Sequence, residues 1–221
     1  MVSALAEVAG WLLFDANRQY AAAELNRQAL RLAQLNGDRA LEMLTLQNMS
    51  LQAHWRGQSD ESLALANRVQ ELANGSGSAR FHAVGQVREA RALALMGRSC
   101  DAERAFEAAR SAFFRGPSPS DPSWTWWLDE AEFSYHEGQM RAELREWPSA
   151  EVPLRQAVAA CPQNRPRDRT LYRAYLLDTL IRMKAQREAI GVIEDLAQEA
   201  EDIRSSRTAA VLDRALDAID A

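Results

Sequence analysis

Two glycines stand 40 residues apart, Gly57 and Gly97, and each opens the same short pattern. Gly57-Gln58 leads to Ser62, Leu65 and Val69, and Gly97-Arg98 leads to Ala102, Phe106 and Ala109. A further 40 residues upstream, Asn17-Arg18 leads to Ala22, Leu25 and Ala29. Two more copies read Glu146-Trp147 followed by Ala150, Leu154 and Ala157, and Gln186-Arg187 followed by Ala189, Ile193 and Leu196. A turn, a small residue, a bulky one and a small one recurring in phase are the mark of stacked supersecondary units. The small residues let two paired helices approach closely, and the bulky residue fills the space between successive pairs.

The residues between the turns are helix formers. Alanine occupies 40 of the 221 positions, whereas Gly and Pro together number only 17 (10 and 7), a composition that excludes a sandwich or an alternating strand and helix fold. The expected fold is therefore all-α: a tetratricopeptide-like, right-handed superhelical solenoid of about five helix pairs plus a C-terminal capping helix. One domain covers 1–221, with repeats at 1–36, 37–76, 77–116, 123–163 and 166–204 and the cap at 205–221. The interval exceeds the tetratricopeptide period of ~34, so each copy carries about one extra helical turn or a longer loop. The prolines of Arg115 to Ser123 break helix and make the longest loop, and Pro153 predicts a kink in the helix that Pro148 opens. In the cap, Val211, Leu212, Ala215, Leu216 and Ile219 form the apolar face, with Arg207 on another face.

Charge and motifs narrow the function. A net charge of −5 is not the basic footprint of a nucleic-acid binder, so direct nucleic-acid binding is not expected. No apolar run approaches the ~20 residues of a membrane helix. Two cysteines, Cys100 and Cys161, build neither a disulfide framework nor a zinc cluster, which places the chain in a reducing cytoplasm. There is no phosphate loop, metal motif or nucleophile elbow, and the expectation is no catalysis and no cofactor. Were the chain an enzyme, His136 and Glu137 would be its acid-base pair.

The first helix of each pair lines the concave side of such a solenoid. Projection from the turns places Gln47, Asn48, His54, Trp55, Arg88, Arg91, Tyr135, His136, Gln139, Tyr175, Asp178 and Arg182 there as an exposed groove for a protein or peptide partner. Asn48 would pair with a peptide backbone, and Arg88 or Arg91 would receive an acidic group. Trp124, Trp126 and Trp127 either anchor the long loop or form an interface, the alternative function being a structural homodimerisation module.

The stretches Ala9-Gly10-Trp11-Leu12 with Phe14-Asp15, Ala29-Leu30-Arg31-Leu32-Ala33 and Arg88-Glu89-Ala90-Arg91-Ala92 carry a likeness. So do Pro122 with Trp124, Asp129-Glu130-Ala131-Glu132, Gly138, and Arg169 with Leu171-Tyr172. With them the chain resembles the C-terminal tetratricopeptide region of actinobacterial transcriptional regulators whose N-terminal part is an XRE-type helix-turn-helix. The chain as read begins within the first repeat. The resemblance thus implies a sensor or adaptor, standing alone or as part of a longer regulator, that binds a peptide, small effector or protein partner.

Overall fold

The computed structural model describes residues 2–198 and 205–219, and among them there are eleven α-helices and no strand. Positions 199–204, the end of the fifth expected repeat, and 220–221, the end of the expected cap, lie outside the described residues. The chain divides into two compact units, 1–128 and 129–221, where the sequence reading takes 1–221 as one domain. The first unit holds α1 (Val2–Asp15), α2 (Gln19–Leu35), α3 (Arg39–Trp55), α4 (Ser59–Ala73), α5 (Ala79–Leu95) and α6 (Ser99–Phe113), and it ends in a 3₁₀ turn, Ser123–Trp127. The second holds α7 (Glu130–Glu143), α8 (Trp147–Ala160), α9 (Pro166–Arg182), α10 (Gln186–Gln198) and α11 (Ser206–Asp217).

One turn closes every helix pair. In the first, Asn17 is left-handed at φ 56°, its N–H bonds to the Phe14 carbonyl at 3.0 Å, and the next N–H, of Arg18, reaches the Leu13 carbonyl at 2.8 Å. These two bonds satisfy carbonyls that the helix end leaves open and reverse the chain within a few residues. The same pair of bonds recurs at Gly57, Gly97, Arg145 and Lys184, all with positive φ, and once more between α2 and α3 at Gly37. The turn in the fourth copy is thus at Arg145 rather than Glu146, and in the fifth at Lys184 rather than Gln186.

Helix starts differ between the two helices of a pair. The odd-numbered α3, α5, α7 and α11 are capped by side chains: Asp38, Ser78, Asp129 and Ser205 accept from the N–H groups of Leu41, Phe81, Glu132 and Thr208. The even-numbered α2, α4, α6 and α8 leave their turn with no side-chain cap. The first helix of the fifth pair, α9, instead starts at Pro166 without a side-chain cap, where the proline has no N–H to satisfy.

Within the first unit each helix packs on the next, and α1, α3 and α5 also touch in a row; in the second, α9 packs on α7, α8, α10 and α11. The helices α3, α5, α7 and α9 are consequently enclosed. In α3, α5, α7 and α9 the interior positions are buried or half-buried, whereas the even-numbered helices show exposed outer faces. Clusters built on Phe14, Ala22 and Leu51, and on Met43, Leu46, Val69 and Phe81, fill the first unit. Ala131, Leu154, Tyr172, Leu176 and Leu180 belong to the core of the second.

The register of the second helices follows from the turn. Ala22, Ser62, Ala102, Ala150 and Ala189 are buried at one equivalent position, and Ala29, Val69, Ala109, Ala157 and Leu196 at another. The bulky position differs from the sequence expectation. Asn26 and Ala66, not Leu25 and Leu65, are the buried equivalents of Phe106, and Ile193 is largely exposed while Val192 turns inward. A one-residue step rotates a side chain by about 100° around a helix, which is enough to move it off the packed face. Pro153 lies buried inside α8, which runs unbroken from Trp147 to Ala160. In α11, Val211 and Ala215 are buried as expected, whereas Arg207 is buried too and Leu216, like Ile219 just beyond the helix, is exposed.

Close approach in the first four pairs rests on a small residue of the first helix, Gly10, Ser50, Ala90 or Gly138, whereas the fifth has Leu177 at that position. A Cβ on Gly138 would stand 2.5 Å from Leu154 Cγ, and one on Gly10 would stand 2.4 Å from Asn26 Oδ1. Gly138→Ala, and Ala109→Trp on the facing type of helix, should each lower stability by about 1–3 kcal/mol through overpacking. An unchanged melting temperature for both would contradict this register.

Candidate functional site

The expected groove residues do lie on the odd-numbered helices, but most of them are not solvent-facing. Gln47, Asn48, Arg88, Arg91, Tyr135, His136, Gln139 and Asp178 are buried, and only His54, Trp55 and Tyr175, half-buried, and Arg182, exposed, reach solvent appreciably. The physical reason is the enclosure of α3 and α5 in the first unit and of α7 and α9 in the second, which leaves these polar side chains one another as partners.

In the first unit they form a ladder across three helices. Asn48 Nδ2 donates to Glu7 Oε1 at 2.7 Å, Gln47 Nε2 donates to Asn48 Oδ1, and Arg88 donates through Nε and Nη2 to Gln47 Oε1 at 3.2 and 2.9 Å. A carboxylate on α1 and a guanidinium on α5 are therefore joined through two side-chain amides of α3. Asn48 and Arg88 are engaged inside the fold, so the expected roles of pairing with a peptide backbone and receiving an acidic group do not describe their positions. Below the ladder Arg91 Nη2 meets His54 Nε2 at 2.9 Å. Arginine can only donate, so in this contact His54 offers a lone pair on Nε2.

Glu7 was not singled out by the sequence reading. The signal was present, since it is the one charge between Val2 and Phe14 in an otherwise apolar helix. Burial raises its carboxyl above the ordinary range, and the hydrogen bond from Asn48 opposes that in part.

In the second unit the centre is Glu132 on α7. Its Oε2 accepts from the Tyr172 hydroxyl at 2.5 Å, and its Oε1 lies 3.2 Å from His136 Nε2. His136 is thus paired one turn back, with Glu132, and not with Glu137, which lies 3.9 Å from Arg141. Burial, and next the Glu132 charge, hold the Tyr172 hydroxyl well above its ordinary value, so it stays a neutral donor. The same two causes raise the Asp168 carboxyl, against Arg167, Arg165 and Arg207. Tyr135 meets Tyr172 at a tilt and Tyr175 edge-on, with ring centres 4.7 and 5.5 Å apart, and Gln139 Nε2 donates to its hydroxyl. Asp178 pairs with Arg182 at 3.1 Å and Arg214 at 3.8 Å, and Arg165 pairs with Asp129.

The tryptophans separate by role. Trp124 donates its indole N–H to the Ala40 carbonyl at 3.1 Å, packs on Phe81 and stacks with Trp127, while Trp126 is 72% exposed. Asp121 holds the loop from below, accepting from Ser78 Oγ and from the Ser118 N–H. Trp124 and Trp127 anchor the loop, and Trp126 does not.

A cavity of about 300 Å³ opens between α2, α3 and α4, lined by Arg27, Met49, Gln52, Arg56 and Glu61 among others, and it contains none of the expected groove residues. Among the described residues no group of His, Cys, Asp and Glu could hold a metal ion, and no helix is long and apolar enough to cross a membrane. Cys100 is exposed; Cys161 is buried, and burial pushes its thiol up to about 11. Comparison of the sequence with protein-family models and with curated proteins finds no match.

Two measurements test these assignments. A raised folded-state pKa means that Glu7 favours folding below its unfolded value and loses that contribution as pH rises through the folded one. Glu7→Gln, which keeps the acceptor for Asn48, should therefore raise the melting temperature at pH 7, with the gain shrinking as pH falls through the glutamate range. A pH-independent loss would contradict this. For the loop, Trp124→Ala should cost about 2 kcal/mol in chemical denaturation and Trp126→Ala less than about 0.5 kcal/mol.

Proposed function

We propose that this chain is a non-catalytic, tetratricopeptide-like helical-repeat module that binds a protein or peptide segment along its odd-numbered helices. In this reading it is the sensor or adaptor part of a cytoplasmic transcriptional regulator of the kind it resembles, with the five helix pairs stacked as a right-handed solenoid and α11 as the cap. The observation that carries the proposal is the fivefold return of one left-handed turn, at Asn17, Gly57, Gly97, Arg145 and Lys184, each joining the first helix of a pair to the second. Repeats of this kind present their first helices to a ligand. Ala102 and Phe106 also keep the Ala-x₃-Phe spacing of a tetratricopeptide second helix.

The burial of Asn48 and Arg88 changes which residues make contact. The ladder from Glu7 to Arg88 fixes the relative rotation of α1, α3 and α5, since each member has its partner on a neighbouring helix or on the next residue. Contact falls to the half-buried residues at the end of α3. Trp55 offers an aromatic face beside Phe14, and His54 is oriented by Arg91. Aromatic side chains held in place by neighbours are typical binding anchors.

A photocrosslinking amino acid at Trp55, in the native cell, tests this against the same group at Tyr20 on the outer face. A covalent protein adduct at position 55 and none at position 20 is expected. No adduct at 55, or equal labelling at both, would overturn the proposal.

A further inference from the structure

The cavity of about 300 Å³ between α2, α3 and α4 contains no residue of the ladder and neither His54 nor Trp55. Its floor is uncharged and fixed. Ala53 is buried, and Ala23 and Met49 are half-buried. The buried Gln52 side chain is already held, its Nε2 donating to the Gln19 carbonyl at 2.7 Å and its Oε1 accepting from Asn26 Nδ2 at 3.3 Å. Met49 adds a flexible thioether chain that adapts to the shape of an apolar group.

Charge is confined to the rim. Arg27 of α2, Arg56 at the end of α3 and Glu61 in the first turn of α4 are exposed and line this one cavity. The opposite charges are not joined to each other. Arg56 lies over the Tyr20 ring, 5.9 Å from its centre, and Arg27 turns to Glu24 on its own helix at 3.0 Å. That ion pair is solvent-exposed on both sides, so redirecting Arg27 costs little. The rim therefore presents two guanidiniums and one carboxylate, held apart, above an uncharged floor.

We infer that this cavity binds a free α-amino acid with an uncharged aliphatic or thioether side chain. A zwitterion answers both signs of charge at once. Its carboxylate accepts charge-assisted hydrogen bonds from Arg56 and Arg27, and its ammonium donates to Glu61. Its side chain then covers Ala23, Met49 and Ala53. Size makes the same selection, because about 300 Å³ is the lower end of small-molecule sites and holds one metabolite rather than an extended peptide. A simple carboxylic acid would bring a second negative charge beside Glu61, and a simple amine a third positive one beside the arginines. The inference stands independently of the peptide-binding proposal, which uses other residues.

Isothermal titration of the full chain with L-leucine and with L-methionine tests it. Saturable one-to-one binding of at least one of them is expected. Isocaproate, which lacks the ammonium of leucine, and L-leucinamide, which lacks its carboxylate, should each bind about tenfold more weakly or worse. Arg56→Gln and Glu61→Gln should each weaken amino-acid binding about tenfold, with the helical circular dichroism and the ligand-free melting temperature unchanged because both residues are exposed. Arg104→Gln, exposed on α6, should leave binding intact. No saturable binding of either amino acid, equal binding of either single-charge analogue, or an affinity indifferent to Arg56→Gln or to Glu61→Gln would each overturn the proposal.

Discussion

Two backbone hydrogen bonds around a left-handed residue organise this protein. They reverse the chain at the ends of α1, α3, α5, α7 and α9, and the next helix begins two residues later, so the facing of each pair is set by the turn. In the first four pairs a small residue on the first helix then stands opposite the packed face of the second, as Gly138 does against Leu154 and Gly10 against Asn26. Three of the turns, at Asn17, Arg145 and Lys184, put a side chain in a conformation that costs about 1–2 kcal/mol without glycine. They persist because the two bonds and the helix contact they permit over-determine the geometry.

Enclosure of the odd-numbered helices has an electrostatic consequence. Polar side chains that would face water on an isolated helix are held among neighbours, and an unpartnered amide or carboxylate there would cost about 1–3 kcal/mol or more. The ladder from Glu7 to Arg88 meets that demand with one acid, one base and two amides, and the Glu132 carboxylate meets it by serving Tyr172 and His136 together. Such networks specify how helices are rotated against each other, because a register shift would break several bonds at once.

Much of this was legible in the sequence. Helix pairs, the turns at Asn17, Gly57 and Gly97, the loop around Pro117 to Pro122 and the burial of Ala102, Phe106 and Ala109 follow from glycine placement, spacing and alanine content. What was lost has physical causes. Arg145 and Lys184 occupy a backbone conformation that residue type does not announce, so the frame slipped by one and two residues in the second unit. Leu25 and Leu65 are more apolar than Asn26 and Ala66, yet the helix rotation turns the latter inward. The groove residues were placed on the right helices but assumed wet, because spacing gives the face of a helix and not what covers it.

Residue-resolved hydrogen exchange of the intact protein tests the enclosure of the first helices within each unit most directly. Amides of α3, α5 and α9 should be the slowest in the molecule, exchanging only on opening of their whole unit, with the second helices α2, α4 and α10 faster by at least tenfold. Equal protection of the two sets, or slower exchange in the even-numbered helices, would contradict first helices enclosed within each unit and joined to the second by a recurring turn.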